Sequence, residues 1–335
     1  MITIDGSYGE GGGQIIRSAV SLSALTGKPV TISNIRANRA PPGLKAQHLT
    51  GITALADICG ARLSGAEVGS TKIIFEPGKI KSGTYNWDIG TAGAITLVLQ
   101  ALMPAVLFSK KDFVFRITGG TAVTHSPPIE YFQHVFCDYL KRFGADISVE
   151  IERYGFYPKG GGQVTVKTRA SELSPVEILE RGKLVETNVW SIASSDLQKA
   201  SVAERQIKGF KKEFGETKYG KLDKSYVGAL STGSVIHAHN VYENCIIGAE
   251  ELGERGKPAE KVGEECAQKL KKEIQFDSTL DEHMLDQIIP YMALLGGKFR
   301  FRQMTSHAET NIWVTEQFLP VKFEVKGNVI WCKKL

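Results

Sequence analysis

None of the five cysteines forms a Cys-x-x-Cys pair. Cys59, Cys137, Cys245, Cys266 and Cys332 are scattered and odd in number, so neither a zinc site nor a disulfide framework is signalled. That usage fits a reducing cytoplasm. Long apolar runs are also missing: a bilayer span needs roughly 18 uncharged apolar residues, and the best run, 92–108, reads as a buried helix. The start, Met1-Ile2-Thr3-Ile4-Asp5-Gly6, has neither the basic nor the apolar stretch of a secretion signal. The familiar phosphate templates are absent as well. No Gly-x-x-x-x-Gly-Lys-Ser/Thr occurs, and the glycines at 9–13 fail the dinucleotide pattern because Ile16 stands where a last Gly or Ala is needed. Nor is charge of one sign in large excess. A net +5 on 335 residues allows phosphate or nucleic-acid partners without demanding them, and all of the excess falls within residues 1–184.

What is present is enough apolar residue, 42%, for a large core and room for two domains. Two stretches read alike: a periodic helix over 43–60 stopped at Gly60, and another over 129–144 stopped at Gly144. Each is followed by strand, turn and strand, and each is preceded by a glycine-rich entry into a further helix, Ile15 to Leu25 and Ala94 to Leu107. A partial third copy closes the chain, with a helix from about Thr310 to Phe318 and a hairpin turning at Lys326-Gly327-Asn328. The pattern predicts an α/β (α+β) protein of three similar units, each a sheet backed by two helices. Between the second and third copies, 184–276 has another rhythm: strand, helix, two strands, helix. It reads as an inserted smaller, thioredoxin-like domain without a redox pair, within a main domain of 1–183 and 277–335.

Four constellations carry chemistry. In Thr305-Ser306-His307-Ala308-Glu309-Thr310-Asn311, His307 sits among small polar residues. An imidazole with an ordinary pKa of about 6.5 is largely neutral near pH 7 and attacks phosphorus or carbonyl without a separate base, although most histidines do no such work. Glu10, Gln14 and Arg17 flank a glycine-rich turn opening a helix, which reads as a phosphate cradle or as a tight turn. Arg36, Arg39, Lys45 and Gln47 surround a proline-stiffened helix start, a phosphate clamp or solvated charge. Asp281-Glu282-His283-Met284-Leu285-Asp286-Gln287 begins a helix continuing to Leu295, with His283, Asp286 and Gln287 on one face.

In combination these pieces resemble the RNA 3′-terminal phosphate cyclases. The resemblance rests on Asp5-Gly6 with Gly9 to Ser18, Ile35-Arg36-Ala37 with Arg39, Pro42-Gly43-Leu44 with Gln47-His48, Gly90 with Ala92-Gly93 and 96–100. It continues through Gly155-Phe156-Tyr157-Pro158 with Gly160 to Gly162, Asp286-Gln287, and His307 with Thr310-Asn311. It covers essentially the whole chain in order.

The resemblance implies three repeats like the C-terminal domain of translation initiation factor three plus a thioredoxin-like insertion. It also implies ATP-dependent conversion of an RNA 3′-phosphate into a 2′,3′-cyclic phosphodiester, through AMP carried on His307. By family position Gln14, Arg17, Gln100 and His283, Met284, Leu285, Asp286 and Gln287 hold ATP, with Pro128 and His283 flanking the adenine. Where relatives can carry tyrosine this chain has His283, a ring that stacks more weakly. Arg36, Arg39 and Gln47 are expected on the RNA or its phosphate, and Glu10 on Mg²⁺ or Mn²⁺. The expected partners are ATP and RNA with a 3′-phosphate end, without a membrane; a homodimer is one choice of oligomeric state. The rivals are a non-catalytic cyclase-like RNA-binding protein in ribosomal RNA maturation, against which His307 counts, and an enolpyruvyl transferase.

Overall fold

The computed structural model describes residues 1–335. β1 (Ile2–Asp5), α1 (Gly13–Thr26), β2 (Val30–Ser33), α2 (Ala46–Cys59), β3 (Arg62–Ser64) and β4 (Ile73–Glu76) form a sheet ordered β1-β2-β4-β3. Its β1–β2 pair is parallel, because a helical crossover joins those strands, and its β2–β4 and β3–β4 pairs are antiparallel. The order recurs in β5 (Gly83–Asp88), α3 (Ile95–Phe108), β6 (Phe113–Gly119), a helix over 129–142, β7 (Asp146–Arg153) and β8 (Gly162–Arg169), whose sheet runs β5-β6-β8-β7. That helix is α4 (Ile129–Tyr131) and α5 (Cys137–Arg142) joined by a π turn over Phe132–Phe136.

β9 (Val176–Ile178) opens a third sheet and the chain then leaves it. It builds β10 (Leu184–Ser194), α6 (Val202–Phe214), β11 (Tyr219–Val227), β12 (Ser234–Tyr242), β13 (Ile246–Leu252) and α7 (Ala259–Ile274), with sheet order β11-β10-β12-β13. It returns through α8 (Glu282–Gln287), α9 (Ile289–Leu295), β14 (Gly297–Arg300), α10 (Ser306–Phe318), β15 (Val321–Lys326) and β16 (Val329–Lys334) to complete β9-β14-β16-β15. Three of the four sheets thus share one strand order.

Three expectations change. The helix expected from Asp281 to Leu295 breaks at Ile288 into α8 and α9, because Pro290 has no N–H to donate and restricts the residue before it. The helix expected from about Thr310 begins a turn earlier, at Ser306, because the Thr305 side chain accepts from the Ala308 N–H and caps it. The insertion holds a strand that periodicity missed: β11 is a sheet edge whose residues are mostly half-exposed and polar, so its alternation carries little apolar signal.

A single buried cluster of 74 residues runs through the three like sheets and into the insertion. Asp281 ties these parts together: its carboxylate accepts from the Tyr131 hydroxyl at 2.5 Å, from the Gly248 N–H of β13 at 2.9 Å and from the Met284 N–H of α8 at 2.9 Å. No helix is long and apolar enough to cross a membrane.

Candidate functional site

α10 carries His307 in its first turn with the side chain 51% exposed, held at the backbone by the Thr305 cap. Its Nε2 lies 2.9 Å from Glu10 Oε2. The same oxygen takes Arg39 Nη2 at 2.8 Å, and the Ser306 hydroxyl donates to Oε1. These donors hold the Glu10 carboxyl below its ordinary range, Ser306 contributing most, with His307 and Arg39 adding to it. Glu10 is therefore a carboxylate acceptor that orients the imidazole ring.

Glu10 reaches this position because the loop preceding α1 lies along α10. Gly9 and Gly11 have φ of 57° and 59°, a backbone shape that favours glycine. A Cβ on Gly9 would come within 2.8 Å of Thr310 Oγ1. No side chain caps the N-terminus of α1, so its first N–H groups stay free for an anion.

Beside this cluster, α1, α3, α8, α9 and α10 wall a small pocket lined by Gln14, Arg17, Ser18, Gln100, Asp286, Gln287 and Asn311, among others. Hydrogen bonds lock the wall to the histidine turn. Gln14 Nε2 donates to Asp286 Oδ2 at 2.9 Å and to the His307 carbonyl at 3.1 Å; Asn311 Nδ2 donates to the Asp286 carbonyl at 2.7 Å while its Oδ1 accepts from Ser18. Burial lowers Arg17 to about 10, partly offset by Asp286, so it stays a cation at neutral pH. Burial likewise raises Asp286 to about 6, against the opposing pull of His307, His283 and Arg17.

Four buried polar atoms on this wall have no partner in the protein: Gln14 Oε1, Ser21 Oγ, Gln287 Oε1 and Tyr291 Oη. Buried polar groups are normally satisfied. Four converging on one pocket therefore point to a polar ligand that satisfies them. Pro104, inside α3, adds to the set, since it has no N–H to offer the Gln100 carbonyl one turn earlier and both residues line the pocket.

Of the residues expected on a nucleotide, Gln14, Arg17, Gln100, Asp286 and Gln287 come together here. Met284 and Leu285 do not; their side chains point into the core. Pro128 is buried at the start of α4 and does not line the pocket. His283 faces the insertion, with Nε2 at 2.9 Å from Glu250 Oε1 and its ring edge-on to Tyr131.

The phosphate-clamp expectation divides. Arg39 is exposed and joins the His307 cluster through Glu10. Arg36 is buried and spends Nη1 on the Pro41 and Gly43 carbonyls at 2.9 and 2.8 Å, so it stitches its own loop. Gln47 Oε1 accepts from the Ala94 N–H at 3.0 Å and so holds the entry to α3. Glu10, expected on a metal, has both carboxylate oxygens engaged by Arg39, His307 and Ser306, and no group of three or more His, Cys, Asp or Glu side chains stands around it.

The His283–Glu250 pair makes a pH prediction. Burial disfavours the imidazolium, but Glu250, Asp281 and Asp286 outweigh it and raise His283 to about 10. A folded value above the unfolded 6.5 means that the stabilisation is complete below pH 6.5 and is lost as pH rises toward 10. The ring is 48% exposed, so screening leaves about 1 kcal/mol. Glu250→Gln is expected to lower the urea midpoint at pH 6.5 and to converge with the parent near pH 10. A pH-independent difference would show that the charge is not responsible.

The sequence matches the RNA 3′-terminal phosphate cyclase family over residues 8–325. The RNA 3′-terminal phosphate cyclase of Pyrococcus furiosus is 45% identical over 336 residues, covering 98% of this chain and 96% of that one. The Methanosarcina mazei enzyme of the same name is 44% identical over 345 residues, 97% of each. Among solved structures, the enolpyruvyl transferase NikO from Streptomyces tendae aligns over 99% of this chain and 47% of that one with a TM-score of 0.42 and 11% identity, too distant to bear on fold or function. With a family match spanning nearly its whole length and relatives this similar end to end, the chain belongs to the RNA 3′-terminal phosphate cyclase family.

Proposed function

We propose that this chain uses ATP to convert an RNA 3′-terminal phosphate into a 2′,3′-cyclic phosphodiester, with AMP carried on His307. The observation that supports it is the pairing of a half-exposed histidine, oriented by Glu10, with an adjoining pocket that holds Arg17 and four unpartnered polar atoms.

In the first step a His307 ring nitrogen attacks the α-phosphorus of ATP. The N–P bond forms, the bond to the bridging oxygen breaks, diphosphate leaves and the imidazole gives up its proton. Arg17 and the free N–H groups of α1 face the developing negative charge, which is the main demand of such transfers. Second, an RNA 3′-phosphate oxygen attacks the same phosphorus; the N–P bond breaks and the departing imidazole takes up a proton, which restores His307. Third, the neighbouring 2′-hydroxyl attacks the 3′-phosphorus, closes the ring and expels AMP. Mg²⁺ or Mn²⁺ would arrive with the triphosphate, since such ions are held by few carboxylates plus substrate phosphates. The three like sheets correspond in this reading to repeats resembling the C-terminal domain of initiation factor three. Residues 184–276 correspond to a thioredoxin-like module set into a catalytic domain of 1–183 and 277–335.

The test is incubation with ATP labelled at the α-phosphate, followed by addition of 3′-phosphorylated RNA. Acid-labile label on the protein that chases into AMP as the cyclic end appears supports the proposal; an unlabelled protein overturns it. Arg39, on the exposed side of Glu10, is the candidate for the RNA end. Arg39→Ala is expected to slow transfer to RNA roughly tenfold more than self-adenylylation, in line with the loss of a charge-assisted contact. Equal losses in both steps would place Arg39 on ATP.

A further inference from the structure

The loop before α1 does more than deliver Glu10. Reading it backward, Glu10 touches Ser306, Gly9 abuts Thr310, and the Tyr8 ring stacks on Trp313 with centroids 4.0 Å apart and planes 10° from parallel. Ser306, Thr310 and Trp313 are spaced i, i+4, i+7 and so form one stripe of α10. Asn311, which lines the nucleotide pocket, lies on a different face. The helix therefore separates two workplaces, with His307 at its exposed end between them.

On the stripe side stands an aromatic surface that the proposed chemistry does not use. Tyr8 is 43% exposed although its ring is backed by Trp313. Its backbone is pinned: the Tyr8 N–H donates to the Asp5 carbonyl at 3.3 Å, and the Tyr8 carbonyl accepts from Gly11 at 3.0 Å. Asp5 is itself held by Ser7 and Asn34. The loop bearing Arg39 runs alongside, with Asn38 Nδ2 donating to the Ser7 carbonyl at 3.1 Å. A solvent-facing ring whose loop is hydrogen-bonded to the loop bearing Arg39, about 10 Å along the helix from the turn that holds His307, has the make-up of a single-strand platform. Seven residues at 1.5 Å each set that distance.

Resting on the function proposed above, we infer that Tyr8, backed by Trp313, stacks a base at the 3′ end of the RNA and so positions the terminal phosphate toward His307. The occupant is a nucleobase because stacking is indifferent to base identity, and an enzyme acting on RNA ends needs grip on the last nucleotides without a sequence code. Tyr8 is a positioning residue. The tyrosine hydroxyl is not needed, only the ring face.

The test separates the two substrates. Tyr8→Ala is expected to raise the KM for a 3′-phosphorylated oligoribonucleotide roughly tenfold, the usual scale for losing one base–aromatic stack. The rate of self-adenylylation, which uses no RNA, should hold, and Tyr8→Phe should restore the KM. If Tyr8→Ala slows adenylylation as much as RNA transfer, the ring only staples the loop to α10 and the inference fails. It fails equally if the KM does not move. A direct binding titration of the same oligonucleotide, read by quenching of tryptophan fluorescence, compares the parent with Tyr8→Ala without any turnover. A weakened Tyr8→Ala supports the platform even if no adenylylated protein forms, an outcome that would overturn the function proposed above instead.

Discussion

His307→Ala is expected to lose self-adenylylation and RNA cyclisation together, by about 10⁴-fold or more, the scale seen when a covalent nucleophile is removed. The loss should appear in the chemical steps and leave ATP affinity almost unchanged. Arg17, Gln14, Gln100 and Gln287 wall the pocket independently of the imidazole, and the contact that links Gln14 to this turn goes to the His307 backbone carbonyl, which alanine keeps. The fold should also survive. The ring is half-exposed with its Nε2 on Glu10, a class of surface change that shifts stability by no more than about 0.5 kcal/mol. Glu10 would remain ionised through Ser306 and Arg39. Label from α-labelled ATP persisting on the alanine variant would mean that another side chain carries AMP.

That His307 stood out in the sequence, while much of its surroundings did not, has physical causes. Residue type and helix position are local properties, so His307, the glycine turn and the helices they begin were visible along the chain. Contacts across hundreds of residues are not. Gln14 meets Asp286 and Ser18 meets Asn311 only because α1, α8 and α10 pack together, and no spacing rule reports which helices do so. Arg36 and Arg39 look equivalent in one short loop, yet burial turns the first to its own backbone and exposure leaves the second to Glu10. Gln47 is similar: its polar head reads as a ligand group, but its partner is the Ala94 N–H. Some missed features did leave a signal. A proline inside the otherwise apolar run of α3 marks a carbonyl without its helical donor, and Asn311, four residues after His307, shares its side of the helix. The strand order shared by three sheets follows the periodicity seen along the chain. The break at Ile288 could have been anticipated from Pro290.

Gly13→Ala is the other change with a large expected effect, and its cause lies across the site from His307. A Cβ at residue 13 would lie 2.1 Å from His48 Nε2, far inside contact distance. His48 cannot easily swing away: its ring is buried, and its Nδ1 accepts from the Lys45 N–H at 3.1 Å to close the start of α2. Burial, with Arg17, Arg36 and Lys45 nearby, lowers its pKa to about 3, so the ring is neutral and its capping nitrogen stays an acceptor at physiological pH. The new methyl must therefore displace either the α2 cap or the α1 entry, at about 2 kcal/mol for overpacking a buried contact. Whichever yields, the first turn of α1 moves, carrying Gln14 and Arg17 with it. A shift on the order of 1 Å at a transfer site costs about 100-fold, so self-adenylylation should fall by that much while His307, on another helix, keeps its exposure. The steric cause has its own check. His48→Ala alone should lose a cap worth about 1 kcal/mol, and Gly13→Ala/His48→Ala should recover most of the activity because the colliding atoms are gone. Strictly additive losses in the double variant would place the need for Gly13 elsewhere, in backbone approach to the triphosphate, and would sink the steric account.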